Sequence, residues 1–222
     1  MPASGPPPMR ERYRAHVRHE VKQAALRQLA ESGPAAVSIS AIGKQLGMSG
    51  PALYRYFASR DELLTELTID AYHDLADALG AAADRAADHG AHARLGEVAR
   101  AYRSWALAQP HRYRLLFGPP LPGYDAHAQR LVEAAHASMA VLIEVLDGLG
   151  DPAAPPGPPL ASQLSAWARE HGPEADPATA LRAVLAWSRL HGFVSLEIAG
   201  DYASMNIDPD QLFEVQLATL TA

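Results

Sequence analysis

The sequence predicts an all-α chain: a three-helix helix-turn-helix module at the N-terminus, joined by a long helix to a larger helical domain. Three observations predict it. Apolar residues recur every three or four positions through most of the 222 residues, the period of helices with one buried face. No segment shows the strict alternation of a half-buried strand. The stretch "QLGMSGPALYRYF", Gln45 to Phe57, sets a Gly-Met-Ser-Gly-Pro corner behind an apolar-periodic run and in front of an aromatic and basic cluster, the layout of two helices meeting at a short turn.

Residues 1–9 are rich in Pro, Gly and Ser and predict a disordered tail. From Arg10 to Glu31, Val17, Val21, Ala25 and Leu29 recur every four residues with bases on the other faces, an amphipathic helix that "SGPAAVS" breaks. Ser38 caps a second helix, since its hydroxyl can accept from a free first-turn amide; Ile39, Ile42 and Leu46 form its stripe, and Gly47 fits the left-handed position that ends it. Ser49 is the next cap and Pro51 suits a first turn, so a third helix spans Gly50 to Tyr56 and buries Leu53 and Phe57. "SRDE", Ser59 to Glu62, is a capping box opening a fourth helix with the stripe Leu64, Leu67, Ala71 and Leu75, running to about Asp88.

Beyond it, Leu95, Val98, Tyr102, Trp105 and Ala106 mark a helix that stops before Pro110, and "PHRYRLLF" a short one. "GPPLPGY" is a loop, Ala126 to Leu149 a long helix, and "DPAAPPGPPL" too proline-dense for any regular element. Ala161 to Glu170 is a further helix. Asp176 and Pro177 start one that is apolar nearly all round, through Leu181, Val184, Leu185, Trp187, Leu190, Phe193 and Val194, as in a core or against a second subunit. Asp208, Pro209 and Gln211 open the last helix, with Phe213, Leu217 and Leu220. The expected domains are residues 10–62 and 63–222.

Charge divides along the same line. The net charge is -6, yet residues 1–62 hold nine Lys or Arg against five acids, and the rest holds ten bases against twenty acids. A basic head on an acidic body is the pattern of a head that meets a polyanion. Cysteine is absent, which removes disulfides, thiolate nucleophiles and sulfur-bound zinc. The N-terminus lacks the apolar run of a secretory signal and no apolar stretch reaches membrane-spanning length, so a soluble cytoplasmic protein without membrane contact is expected. His16 with His19 and His89 with His92 have no third ligand in pattern, and no Gly-x-Ser-x-Gly, P-loop or dinucleotide glycine motif occurs. We therefore expect no metal, cofactor or catalytic residue.

In a helix-turn-helix the second helix enters the DNA major groove. Ser38 and Ser49, at helix N-termini, offer hydroxyl and backbone donors to phosphate; Tyr54 and Tyr56 add phenols; Lys44, Arg55 and Arg60 add charge. Gly50, Pro51 and Ala52 let the backbone approach base edges and leave few long side chains for direct readout, so specificity leans on thymine methyls and DNA shape. With Ser40, the candidate DNA-binding set is Ser38, Ser40, Lys44, Ser49, Gly50, Pro51, Tyr54, Arg55, Tyr56 and Arg60. The run Arg10, Arg12, Arg14, Arg18 reads equally as a solvated face or as an arm along the DNA backbone.

"VSISAIGKQLGMSGPALYRYFASRDELL", Val37 to Leu64, resembles the N-terminal DNA-binding domain of TetR/AcrR transcriptional regulators, with its Ser-x-x-x-Ile-(Ala/Gly) start, Leu-Tyr-x-(His/Tyr)-Phe core and following capped helix. The likeness spans residues 14–65. It implies a homodimer on double-stranded operator DNA, a helical ligand-binding and dimerisation body, a small-molecule effector that releases the DNA, and phosphate contacts at Ser38, Tyr54, Tyr56 and Arg60. Tyr56 stands where many members have His, and Arg60 where many have Lys; both can still donate to phosphate. "AWSRLHGFVSLE", with Trp187, His191 and Gly192, and "QPHRYRLLFG" resemble the Trp-His-Gly subgroup of the same family. A repressor is the expectation. Tyr102, Trp105, Phe117, Met139, Trp187 and His191 are candidates to line a largely apolar effector pocket. The alternatives are an architectural DNA binder without effector, or an all-helical enzyme, for which no acid and base pair stands out.

Overall fold

The computed structural model of the chain describes residues 8–118, 129–149, 156–171 and 175–220. Among these, every regular element is helical: α1 Met9–Ser32, α2 Ile39–Gln45, α3 Gly50–Leu53, α4 Arg60–Arg85, α5 Ala91–Ala108, α6 Pro110–Phe117, α7 Gln129–Asp147, α8 Pro158–His171, α9 Pro177–Ala199, α10 Asp201–Ser204 and α11 Pro209–Leu220. Two single-turn 3-10 segments, Pro34–Ala36 and Ala87–His89, join α1 to α2 and α4 to α5. The helices fall into two compact units. The first holds the chain up to Thr68 together with Phe117; the second holds Ile69 to Leu116 and the described residues from 129 onward. The helix α4 runs from one into the other.

In the first unit, Val17, Val21, Ala24, Ala25 and Leu29 form the buried stripe of α1, which ends where Gly33, at φ +76°, turns its N–H back to the Leu29 carbonyl. Against that stripe pack Val37, Ile39 and Ile42, the pair Leu53 and Phe57, and Leu63, Leu64 and Leu67 of α4. This is one small core shared by four helices, and α2 and α3 are too short to be stable without it.

In the second unit α9 is the hub, packing on α5, α7, α8, α10 and α11. Its start is fixed by Asp176, whose Oδ1 accepts from the N–H groups of Ala178 (2.7 Å) and Thr179 (3.0 Å) while Oδ2 takes the Thr179 hydroxyl (2.9 Å). Ala180 lets α8 come close with Leu164 and Ala168, and Ala183 and Ala186 are buried along the same helix. Gly200, at φ +85°, ends α9. Asp208 then caps α11, taking the N–H of Asp210 (2.9 Å) and the Gln211 amide (2.7 Å).

Charged groups set the register between these helices. Arg103 of α5 forks onto Glu197 of α9 (2.8 and 2.6 Å) and also reaches Asp210 of α11 (2.6 Å), its guanidinium lying 4.9 Å from the centre of the Phe213 ring. Arg100 forks onto Glu214 (3.1 and 2.7 Å). One oxygen of Asp74 on α4 accepts from the Trp105 indole (2.9 Å), the Gln109 amide (3.0 Å) and Arg112 (2.8 Å), joining α4, α5 and α6. Burial alone would push the Asp74 carboxyl up, but these donors outweigh it and hold it below its ordinary value.

The element order follows the expectation, with four differences. The helix α8 begins at Pro158, three residues early, because prolines are tolerated in a first turn where amides have no intrahelical partner. The helix α4 stops at Arg85, and Gly90, at φ +81°, sets off α5. The short α10 was not foreseen; it is a single turn wedged between Gly200 and the left-handed Asn206 (φ +55°). The helix α9 is not buried all round within one chain: Leu185 is 50% and Leu196 44% exposed. The "GPPLPGY" loop lies mostly outside the described residues, as does much of "DPAAPPGPPL".

Glu197 is only 10% exposed, so replacing its partner leaves a desolvated carboxylate. Arg103→Ala should lower the unfolding free energy by about 3 kcal/mol in urea titration. Arg103→Lys should recover only part of it, because an ammonium cannot form the fork.

Candidate nucleic-acid interface

The corner is built from short-range rules. At the start of α2 the Ser38 hydroxyl accepts the Ala41 N–H (3.4 Å) and lies 3.1 Å from the Ser40 hydroxyl. At its end the Leu46 N–H returns to Ile42 and the Met48 N–H to the Gly43 carbonyl (2.8 Å), with Gly47 between them at φ +65°. Gly43 is the point of close approach: a Cβ there would lie 3.3 Å from the Met48 carbonyl oxygen and 3.4 Å from Leu53, so a side chain would require the corner to give by a few tenths of an ångström. Ser49 occupies the cap position of α3, but its side chain makes no capping bond, contrary to expectation.

The helix α3 is also shorter than the expected Gly50 to Tyr56, ending at Leu53. After it the Tyr56 and Phe57 N–H groups both turn back to the Leu53 carbonyl, and the Tyr56 carbonyl accepts from the Arg18 guanidinium of α1. Arg18 also sits 4.3 Å over the Phe57 ring and 3.2 Å from Glu66, which pairs with Lys22 as well (3.3 Å). Leu53 and Phe57 are fully buried. Being four residues apart, they anchor the segment by one side and turn Tyr54 (53% exposed) and Arg55 to solvent, while Tyr56 is half-buried.

Ser38, Ser40, Tyr54 and Arg60 come together around one open depression of about 510 Å³, with Ala35, Val37, Ile39, Ala58 and Ser59 completing its wall. Lys44, Ser49, Gly50 and Pro51 are exposed on α2, the turn and α3. Beside the depression, the Ser59 hydroxyl accepts the Glu62 N–H (3.0 Å) and Glu62 reaches back to the Ala58 N–H (2.6 Å), one residue earlier than in a standard capping box. Arg60, for which the resemblance implies a phosphate contact, lines the depression while three of its nitrogens point at protein oxygens: Nε at the Val37 carbonyl (3.0 Å), Nη2 at the Pro34 carbonyl (2.7 Å) and Nη1 at Asp61 (3.5 Å). Sequence reasoning missed Arg18, Gln28 and Glu66 as supports of this surface. No local motif marks them, because they act through groups far along the chain.

A family profile described as "Bacterial regulatory proteins, tetR family" matches residues 23–67, and one described as "Tetracyclin repressor-like, C-terminal domain" matches residues 95–220. The chain belongs to the TetR family. The HTH-type transcriptional regulator Rv1816 of Mycobacterium tuberculosis is 37% identical over 218 residues, covering 94% of this chain and 92% of the relative. Among solved structures, SCO4313 is 44% identical and superposes with a TM-score of 0.81 over 96% of this chain and 98% of that one. A protein of unknown function from Rhodococcus sp. RHA1 shares the fold at 22% identity, with a TM-score of 0.71 over 92% of this chain and 93% of its own. This TetR-family chain is thus a helix-turn-helix transcriptional regulator.

In the body of the regulator three of the residues expected to line a pocket, Tyr102, Trp187 and His191, belong to one aromatic ladder. Tyr102 and Trp105 are buried in α5, Trp105 bonding to Asp74. Trp187 stacks on His191 at 5.4 Å between ring centres, His191 stacks on Tyr113 at 5.8 Å, and Tyr113 meets the edge of Tyr102 at 6.4 Å. The Tyr113 hydroxyl lies 2.9 Å from His191 Nδ1 and 3.1 Å from the His191 carbonyl. Burial lowers the His191 pKa and raises that of Tyr113, so both are neutral near pH 7. Met139 is half-buried on α7, and Phe117, at the end of α6, groups with the first unit. Tyr113 joins this aromatic ladder without having been singled out. Among the described residues no group of three or more His, Asp or Glu could hold a metal ion, and no helix is long and apolar enough to cross a membrane.

A side chain at Gly47 would meet open space, so only the left-handed backbone opposes one. Gly47→Ala should destabilise the regulator by about 1 kcal/mol and Gly47→Asn by less, as read by thermal unfolding.

Proposed function

We propose that the regulator binds a palindromic operator as a homodimer and acts in the cytoplasm as a repressor that a small, largely apolar effector releases. On this reading residues 10–62 are the DNA-binding domain and 63–222 the effector and dimerisation domain. The segment from α3 to Tyr56 of each copy faces the major groove, in two half-sites ~34 Å apart or a multiple of that. The observation that carries it is the exposed Tyr54 above the Ser38 and Ser40 hydroxyls, in one concave surface at the start of α2, where free amides and hydroxyls suit phosphate. Lys44 and Arg55 add exposed positive charge beside it.

Dimerisation is supported by α9 and α11, on which Leu185, Leu196 and Val215 (63%) stand exposed. The effector reading rests on the aromatic body residues Tyr102, Trp105, Trp187 and His191, together with Met139. Such a ligand must bind the DNA-free form more tightly than the DNA-competent form, since equal affinity shifts nothing. We assign no catalytic role.

Against the best duplex that the wild-type protein selects from random-sequence DNA, Tyr54→Phe should weaken binding about fivefold, the loss of one hydrogen bond, with the salt dependence unchanged. Lys44→Ala should instead flatten the slope of log affinity against log salt by about 0.9 per bound copy. If random DNA competes as well as the selected duplex, the architectural reading replaces this one. Leu185→Glu together with Leu196→Glu should yield a monomer in sedimentation velocity while wild type sediments as a dimer.

A further inference from the structure

One peptide group ahead of α2 is held from both ends. The peptide that joins Val37 to Ser38 has its N–H in a 2.9 Å bond to the side-chain oxygen of Gln28 on α1, and its carbonyl in a 3.0 Å bond from Arg60 Nε on α4. The same guanidinium takes the Pro34 carbonyl at 2.7 Å, and so also fixes the 3-10 turn that leads into this peptide. Ser38 is the residue whose backbone, at φ -129° and ψ 113°, converts the extended chain into α2. The plane of the peptide before it sets the direction in which α2 leaves, and with it the places of the Ser38 and Ser40 hydroxyls. The Arg60 guanidinium thus faces Asp61 and two carbonyl dipoles, an arrangement suited to holding backbone.

Resting on the DNA-binding reading above, we propose that Arg60 and Gln28 are positioning residues for operator recognition: they clamp the Val37–Ser38 peptide between α4 and α1 and so aim the start of α2 at phosphate, with neither touching DNA. The fork is what matters in Arg60. A lysine keeps the charge but has one nitrogen at one place and cannot hold both carbonyls in the same plane.

The test uses the full-length protein, the duplex that wild type enriches from random-sequence DNA, and affinities measured across a salt series well below the melting temperature of each variant. Arg60→Lys should bind about tenfold more weakly than wild type, with an unchanged salt slope. Its Ser38 amide resonance should move in nitrogen–proton spectra, a change that a general loss of stability would not produce. Gln28→Met carries no charge change and reports even if Arg60→Lys unfolds; it too should lose several-fold in affinity with the slope intact. Affinity within about twofold of wild type for Arg60→Lys, or a slope for an Arg60→Met variant flatter by about 0.9 per bound copy, makes Arg60 a direct phosphate ligand and overturns the proposal. Wild-type protein that enriches no duplex would instead overturn the DNA-binding reading itself.

Discussion

The exposed surface of the first unit depends on one buried pair. A helix of four residues cannot hold its shape in water, because nucleation fixes more dihedral freedom than so few hydrogen bonds repay. The helix α3 is such a helix, and it exists because Leu53 and Phe57 are driven fully out of water into the core that α1, α2 and α4 share. Burial of these two side chains, one turn apart, determines which way the residues between them face. Tyr54 and Arg55 point outward as a geometric consequence of where Leu53 and Phe57 go. Arg18 completes the anchor by covering the Phe57 ring and donating to the Tyr56 carbonyl.

The second unit solves a different problem. Its main helices, α5, α7 and α9, run for many turns, so what needs fixing is their mutual register. Ridge-and-groove packing of alanine-rich faces allows slippage, whereas a forked Arg–carboxylate pair has one geometry. Arg103 on Glu197 and Asp210, Arg100 on Glu214, and Asp74 beneath three donors each connect helices that are distant in sequence. Ion pairs of this kind contribute little net stability, because desolvation offsets attraction, yet a wrong register would strand the Glu197 carboxylate with no partner.

Several features that depend on neighbours in sequence were legible there, though the missing Ser49 cap and the single turn of α10 were not. Ser38, Asp176 and Asp208 cap helices because their oxygens reach amides two or three residues on, and Gly47 takes the left-handed position that its type permits. The buried stripes of α1 and α4 follow from period alone. What depends on distant partners was not legible. The arginine that takes the Tyr56 carbonyl, just past the early end of α3, lies 38 residues away. The destination of the Arg60 donors depends on where the fold puts two carbonyls, and no spacing rule encodes that. Leu185 and Leu196 show the limit of periodicity itself: an apolar residue on a helix announces that something covers it, but not whether the cover is another helix of the same chain.

The charge asymmetry that first pointed to a polyanion acquires a narrower meaning once the partners of each base are known. Of the nine bases in residues 1–62, Arg18 and Lys22 face Glu66, and Arg60 faces Asp61 and two backbone carbonyls. These charges build the domain. Lys44 and Arg55 on the helix-turn-helix, and Arg10, Arg12, Arg14 and Arg27 on α1, are the exposed ones. On the proposed DNA-binding reading, net charge therefore overstates the electrostatic pull available at the concave surface, and neutral hydroxyls at a helix start would do much of the holding. Hydroxyl and amide contacts are short-ranged and directional, and they reward a correctly shaped backbone more than the mere presence of phosphate. A surface of that composition discriminates through fit, so the precision with which α2 is aimed matters more than the number of bases around it.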